Sequence, residues 1–286
     1  MIERHLRELT AKPNIRKILE LPIRVAEVLI KTAPESLGKN GPSKDSLLIC
    51  TAIGIAGWAA WTAADRIRDG ENAVRGISCD DLYVFSILRP IIDELIGKLS
   101  LPAIYLKRLK HIIGMMEYAN SSHCSMGVRE QSSWKSMGAA IPLLALMMRL
   151  NASDKDIASC ERLFYYLILA RQLSDDALDW KEDASGIGNG GKGKINDHNN
   201  DTLVVKWIEE AFEERVKYQV AREMLKTSRQ AVKMARDISC FTNTEFLEEL
   251  PRYYEEMAER ILQKQPISSS SAHPWPPSYK HNNRKH

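Results

Sequence analysis

The chain has 286 residues, 44% of them hydrophobic, enough to bury a large core within one all-helical domain. Its formal net charge of +3 comes from Lys and Arg scattered among nearly as many acids, which gives no case for a nucleic-acid-binding surface. Five widely separated cysteines with no C-x-x-C pair argue against zinc or dithiol redox chemistry and read as reduced thiols of a cytoplasmic protein.

The opening residues, MIERHLRELTAKPNIRK, carry no apolar h-region or small-residue cleavage site, so no export is expected. Asn14 caps a predicted helix through IRKILELPIRVAEVLIK, with Pro22 as a kink or break. A Gly- and Pro-rich loop then leads to SLLICTAIGIAGWAAWTAA, Ser46 to Ala64, uncharged for about the length a bilayer requires. Its Ala, Gly and Thr content and its direct run into DRIRDGE predict the buried central helix of a bundle instead of a membrane span. Ser78 caps the next predicted helix, with Asp80 and Asp81 as its first-turn acids. Apolar-periodic segments at 103–120, 130–150, 154–182, 202–228 and 243–264 predict further helices. The run ASGIGNGGKGKINDHNN, Ala184 to Asn200, is a predicted loop; its G-x-G-x-x-G follows a helix and opens none, which argues against a dinucleotide fold. Beyond Gln265, the Ser, Pro and basic content predicts a disordered tail. The expected organisation is an all-α helical domain over residues 1–265 and a tail over 266–286.

One stretch raises the question of function. RQLSDDALDWKEDASG, Arg171 to Gly186, carries Asp175, Asp176, Asp179, Glu182 and Asp183, yet the residues before it, FYYLILA, are core-like. At 3.6 residues per turn Asp175, Asp179 and Asp183 lie at i, i+4 and i+8, one stripe down one face. Like charges facing a bundle interior are relieved by protonation, by cations from other helices or by a divalent metal, and hard oxygen donors at this spacing suit Mg²⁺. WTAADRIRDGENAVRG places Asp65 and Asp69 at i and i+4, with Arg75 just beyond. Two such helix ends facing one another would form a metal cluster able to hold a diphosphate by its oxygens.

These residues carry a family resemblance. QLSDDALDWKED resembles the second aspartate-rich motif, DDxxD, of trans-prenyl diphosphate synthases, complete at Asp175, Asp176 and Asp179, with Gln172 upstream and Asp183 downstream. DRIRDGENAVRG resembles the first motif and its trailing Arg-Arg-Gly, with Arg66 in place of the second aspartate and Val74 in place of the first arginine. WKSMGAAIP resembles the segment presenting a Lys-Thr pair, here Lys135 and Ser136. The resemblance covers roughly residues 10 to 265. It implies the isoprenoid-synthase (terpenoid-synthase) fold, a helical bundle around a deep apolar pocket, in a homodimer. It further implies three Mg²⁺ ions held by Asp65, Asp69, Asp175, Asp179 and Asp183, and an allylic prenyl diphosphate held by Arg75, Lys135, Gln172 and Asp176. Asp65, Asp69, Asp175 and Lys135 are then the catalytic candidates.

The departures from the family pattern bear on the reaction. Chain elongation needs a second site for isopentenyl diphosphate, whose cations reduce here to Lys44 in GPSKDSLLI and to Arg75. NNDTLVV keeps Thr202 but lacks the lysine of the later Gly-Lys-x-Thr. A diphosphate without its cations binds poorly, because charge-assisted contacts supply most of its recognition. Terpene synthases resemble what remains: they need one diphosphate site, use metal ligands at i, i+4 and i+8, and in many bacterial members carry a late Arg-Tyr pair, as in RYYEE from Arg252. The expected outcome is ionisation of one allylic diphosphate followed by cyclisation or elimination, ahead of prenyl transfer to isopentenyl diphosphate or another acceptor, and ahead of a catalytically silent partner subunit. Trp61 lies four residues before Asp65, Trp58 three before that; with Ala60 they are the expected pocket-lining residues, and point to a substrate of ten or fifteen carbons.

Overall fold

The computed structural model describes residues 42–68, 79–121, 124–184, 213–241 and 243–263, except the side chains of 65, 66, 68, 79–81, 175–184 and 213–217. Among the described residues the chain is all-helical. α1 is Lys44–Arg68, α2 Cys79–Lys98, α3 Ala103–Ala119, α4 Val128–Trp134, α5 Ile141–Arg149, α6 Asp154–Ala184, α7 Glu213–Arg236 and α8 Glu245–Gln263, with a 3₁₀ turn at Met137–Ala140. The predicted helix from Asn14, the loop after it and the C-terminal tail lie outside the described residues.

Helix starts follow local chemistry. The Ser43 hydroxyl accepts the Ser46 N–H at 3.1 Å to open α1, and the Ser153 hydroxyl accepts the Asp156 N–H at 3.1 Å to open α6. α5 ends in a Schellman motif: Asn151 takes φ 56°, the Ala152 N–H reaches the Met147 carbonyl at 2.9 Å, and the Asn151 N–H reaches that of Met148 at 3.1 Å.

The segment predicted as one helix over 130–150 is three pieces. An unbroken helix would drive the Pro142 ring into the carbonyl four residues earlier, at Gly138. The chain instead ends α4 at Trp134, turns through Met137–Ala140 and restarts with Pro142 in the first turn of α5. α5 is the central helix, buried from Ile141 to Met148. α1, expected in that place, is partly exposed: 39% of its apolar window, Lys44–Ala64, is buried, and Leu48 is 59% exposed. By length and composition, with mean hydropathy 1.7, that window would suffice to cross a membrane, but the same is true of the core helix of a bundle. Here it packs against α2, α5 and the 3₁₀ turn.

The second half is an up-down-up layer. α7 packs on both α6 and α8. The Asp156 carboxylate near the start of α6 accepts the Ser239 N–H at 2.6 Å just past the end of α7, so those two helices are antiparallel. Arg229 of α7 pairs with Glu255 and Glu259 of α8, both at 2.9 Å, and Arg236 with Glu248, giving a second antiparallel pair. A bidentate Arg108–Glu161 pair at 2.6 and 2.9 Å ties α3 to α6.

Candidate functional site

α1 and α6 meet across the 3₁₀ turn, which packs on both. Between them lies a small apolar cavity. α1 contributes Trp58, the turn contributes Ser136 and Ala139, α6 contributes Phe164, Leu167, Ile168 and Arg171, and α8 closes it with Leu250 and Tyr254. The α6 residues fall at i, i+3, i+4 and i+7, one face of a helix. Its free volume is ≈ 10 Å³, room for about one water molecule.

Helix positions 65 and 175 lie further along the faces that line this cavity. α6 runs unbroken to Ala184, so positions 175 and 179 lie on the stripe of Ile168 and Arg171. α1 runs to Arg68, so position 65 follows Trp58 by seven residues on the same face. At 1.5 Å per residue, position 175 is about 6 Å beyond Arg171 along its helix, and position 65 about 10 Å beyond Trp58. Asp69 and Arg75 lie outside the described residues, as do the side chains of Asp65, Asp175, Asp176, Asp179 and Asp183. Among the described residues no three His, Cys, Asp or Glu side chains cluster closely enough to hold a metal ion.

The expected site residues whose side chains are described are Trp58, Ala60, Trp61, Lys135 and Gln172. Trp58 lines the cavity. Trp61 is half-buried against the 3₁₀ turn: a Cβ added at Gly138 would meet its ring at 3.3 Å, and one at Gly57 would meet it at 2.8 Å. Ala60 is fully buried in the core. Neither Trp61 nor Ala60 is on the cavity wall. Lys135 ends α4, its N–H bonded to the Gln131 carbonyl at 2.9 Å and its carbonyl to the Asn120 side chain at 3.0 Å, which delivers the adjacent Ser136 to the wall. Gln172 is half-buried beside Arg171. Arg252 of RYYEE pairs with Glu248 at 2.6 Å, while Tyr254 of the same run is the buried residue on the wall.

Two features were not legible in the sequence. The Arg171 guanidinium stacks over the Trp58 ring, 5.2 Å from its centroid, placing a cation on an otherwise apolar wall. The indole nitrogens of Trp58 and Trp61 are buried, and no acceptor among the described residues reaches either. Buried donors without partners are uncommon.

The electrostatics elsewhere are structural. Burial would raise the Asp156 carboxyl, but hydrogen bonds from the Ser239 backbone and from the Ser153 and Ser239 hydroxyls hold it below its ordinary range. Burial likewise acts against Glu248, and is outweighed by Arg236, Arg252 and Thr244, leaving its pKa lowered. Burial pushes the Cys50 and Cys240 thiols up to about 12 and Cys160 well above the usual value, so all three are poor nucleophiles. Compared with protein-family models, curated proteins and solved structures, the chain has no match.

Proposed function

We propose that the chain is a Mg²⁺-dependent class I isoprenoid synthase that ionises an allylic prenyl diphosphate and completes the reaction by cyclisation or elimination. The observation that carries this reading is the pairing of two helix faces. Trp58 of α1 and Arg171 of α6 touch across an apolar cavity, and each face continues C-terminally to an aspartate position, 65 and 175.

The donor set fits Mg²⁺: every candidate ligand is a carboxylate, and the continuous helix of α6 keeps Asp175, Asp179 and Asp183 four residues apart on one face. Asp65 and Asp69 would hold the ions from the other side. When bound, they supply Lewis-acid neutralisation of the diphosphate leaving group. The chain's own residues do the rest. Lys135, Arg75 and Gln172 bind and orient the diphosphate, the apolar wall excludes water from the cation that forms, and the π faces of Trp58 and Tyr254 stabilise positive charge within the cavity, each by about 0.5–2 kcal/mol.

One observation favours a second reading, a catalytically silent partner of an active prenyl synthase. As the described residues enclose it, the cavity holds about one water, less room than a ten-carbon chain needs. Incubation of the purified chain with Mg²⁺ and allylic diphosphates of ten, fifteen and twenty carbons separates the readings. A synthase releases hydrocarbon or alcohol without isopentenyl diphosphate, a prenyltransferase forms product only with it, and a silent subunit forms none in either case.

A further inference from the structure

The side of α7 that faces away from its neighbours carries one sign of charge. α7 packs on α6 and α8, and those two meet each other at the cavity, so α7 lies across their groove and its far side forms a crest. From Tyr218 to Arg236 the exposed residues of α7 are Arg222, Lys226, Arg229, Lys233 and Arg236, every one a cation. They follow one another at i, i+4, i+7, i+11 and i+14, a single line along the helix. At a rise of 1.5 Å per residue the line is about 21 Å long. Arg229 is held by Glu255 and Glu259 of α8, and Arg236 by Glu248. Arg222, Lys226 and Lys233 make no ion pair among the described residues. Like charges on one helix face repel, and a chain of net charge +3 has no general need of such a line for solubility.

We propose that the crest of α7 docks the protein on an anionic membrane surface, with Arg222, Lys226 and Lys233 among acidic lipid headgroups and the helix parallel to the bilayer. Charge complementarity calls for an anion, and shape selects which one. A straight, convex line meets a flat sheet of headgroups. A nucleic-acid strand is instead held in a groove with aromatic residues between the cations, and no Phe, Tyr or Trp stands on this line. No exposed apolar residue stands on it either, so the contact is electrostatic and peripheral, resting on the headgroups without insertion. α7 contributes nothing to the cavity wall, and the inference is independent of the chemistry proposed above.

The test is co-sedimentation of the full chain with vesicles of phosphatidylcholine alone and of phosphatidylcholine with about one-third phosphatidylserine, at low and at physiological salt. The wild type should bind the acidic vesicles and not the neutral ones, and should lose most of that binding as salt rises. Each unpaired cation should contribute about fivefold, so R222Q/K226Q/K233Q should bind roughly a hundredfold more weakly, with helix propensity kept by glutamine. K107Q/K110Q removes two exposed lysines from α3 and should bind as the wild type does. Should circular dichroism show the triple variant unfolded, K226Q and K233Q decide: about fivefold weaker binding by each supports the proposal, and unchanged binding overturns it. No binding of the wild type to acidic vesicles at low salt overturns it, as does binding that the folded triple variant retains. Equal loss in K107Q/K110Q also overturns it, because net charge and not the crest would then be responsible. Retention on immobilised polyglutamate without binding to vesicles overturns the membrane assignment in favour of an acidic protein.

Discussion

Asp156 joins the start of α6 to the end of α7 through oxygens that accept the Ser153 hydroxyl at 2.8 Å and the Ser239 N–H at 2.6 Å. Its carboxyl pKa is lowered in the folded chain, so its contribution to stability is complete above the unfolded value near 4 and is lost as pH falls through the folded one. Glu248 acts in the same direction. Asp156→Asn should therefore cost about 1–3 kcal/mol at neutral pH and flatten the acid limb of stability against pH, measured by urea unfolding between pH 3 and 7. An unaltered acid limb would mean that Asp156 is not held in its ionised form by these bonds. Nothing in the sequence marks Asp156, because its partner Ser239 lies 83 residues away. Arg171 was hidden for a related reason. Within LILARQL its neighbours mark the segment as core, and a cation there acquires meaning only when α1 brings Trp58 alongside.

The joint between α1 and the 3₁₀ turn depends on two glycines and one indole. A Cβ at Gly57 would stand 2.8 Å from the Trp61 ring, and one at Gly138 would stand 2.9 Å from the Met116 sulfur, which also accepts the Gly138 N–H at 3.2 Å. Gly57→Ala should destabilise the wild-type chain by about 1–3 kcal/mol through overpacking, despite the gain of about 0.5–1 kcal/mol that alanine brings to a helix interior. In a Trp61→Phe background the clash is removed and the same substitution should become neutral or stabilising, a coupling that a double-mutant cycle in denaturant resolves. Additive effects would show that the ring yields freely. At the α5–α6 junction, Asn151→Gly should be tolerated, whereas Asn151→Val should cost about 1–2 kcal/mol, since φ 56° crowds a branched Cβ. Equal thermal midpoints for the two variants would contradict that. Most helix ends were legible within two or three residues, as for 103–120 against Ala103–Ala119 and 243–264 against Glu245–Gln263. The division of 130–150 was not, because the hydrophobic pattern runs straight through Gly138 and Pro142, and only the backbone clash between them forces the turn.

Across the molecule, the all-α class follows from the periodicity of nearly every segment, while the exchange of central position between α1 and α5 does not. Both helices are apolar all round, and hydropathy alone does not say which will be surrounded by the others. The candidate site was drawn in the sequence as two acidic stripes and a tryptophan, of which Trp58 lines the cavity; the cation on the cavity wall and the smallness of the cavity emerge only from packing. The proposed chemistry stands or falls on whether those stripes act together on a leaving diphosphate. The decisive measurement is the rate of inorganic diphosphate release from a fifteen-carbon allylic diphosphate, with Mg²⁺ and without acceptor, by the wild type, Asp65→Asn and Asp175→Asn. Metal-dependent release by the wild type that falls at least about a hundredfold in each variant, with helical content unchanged, is the expected result, since each carboxylate removed weakens stabilisation of the departing charge. No release by the wild type, or equal rates in all three proteins, would contradict an ionising synthase.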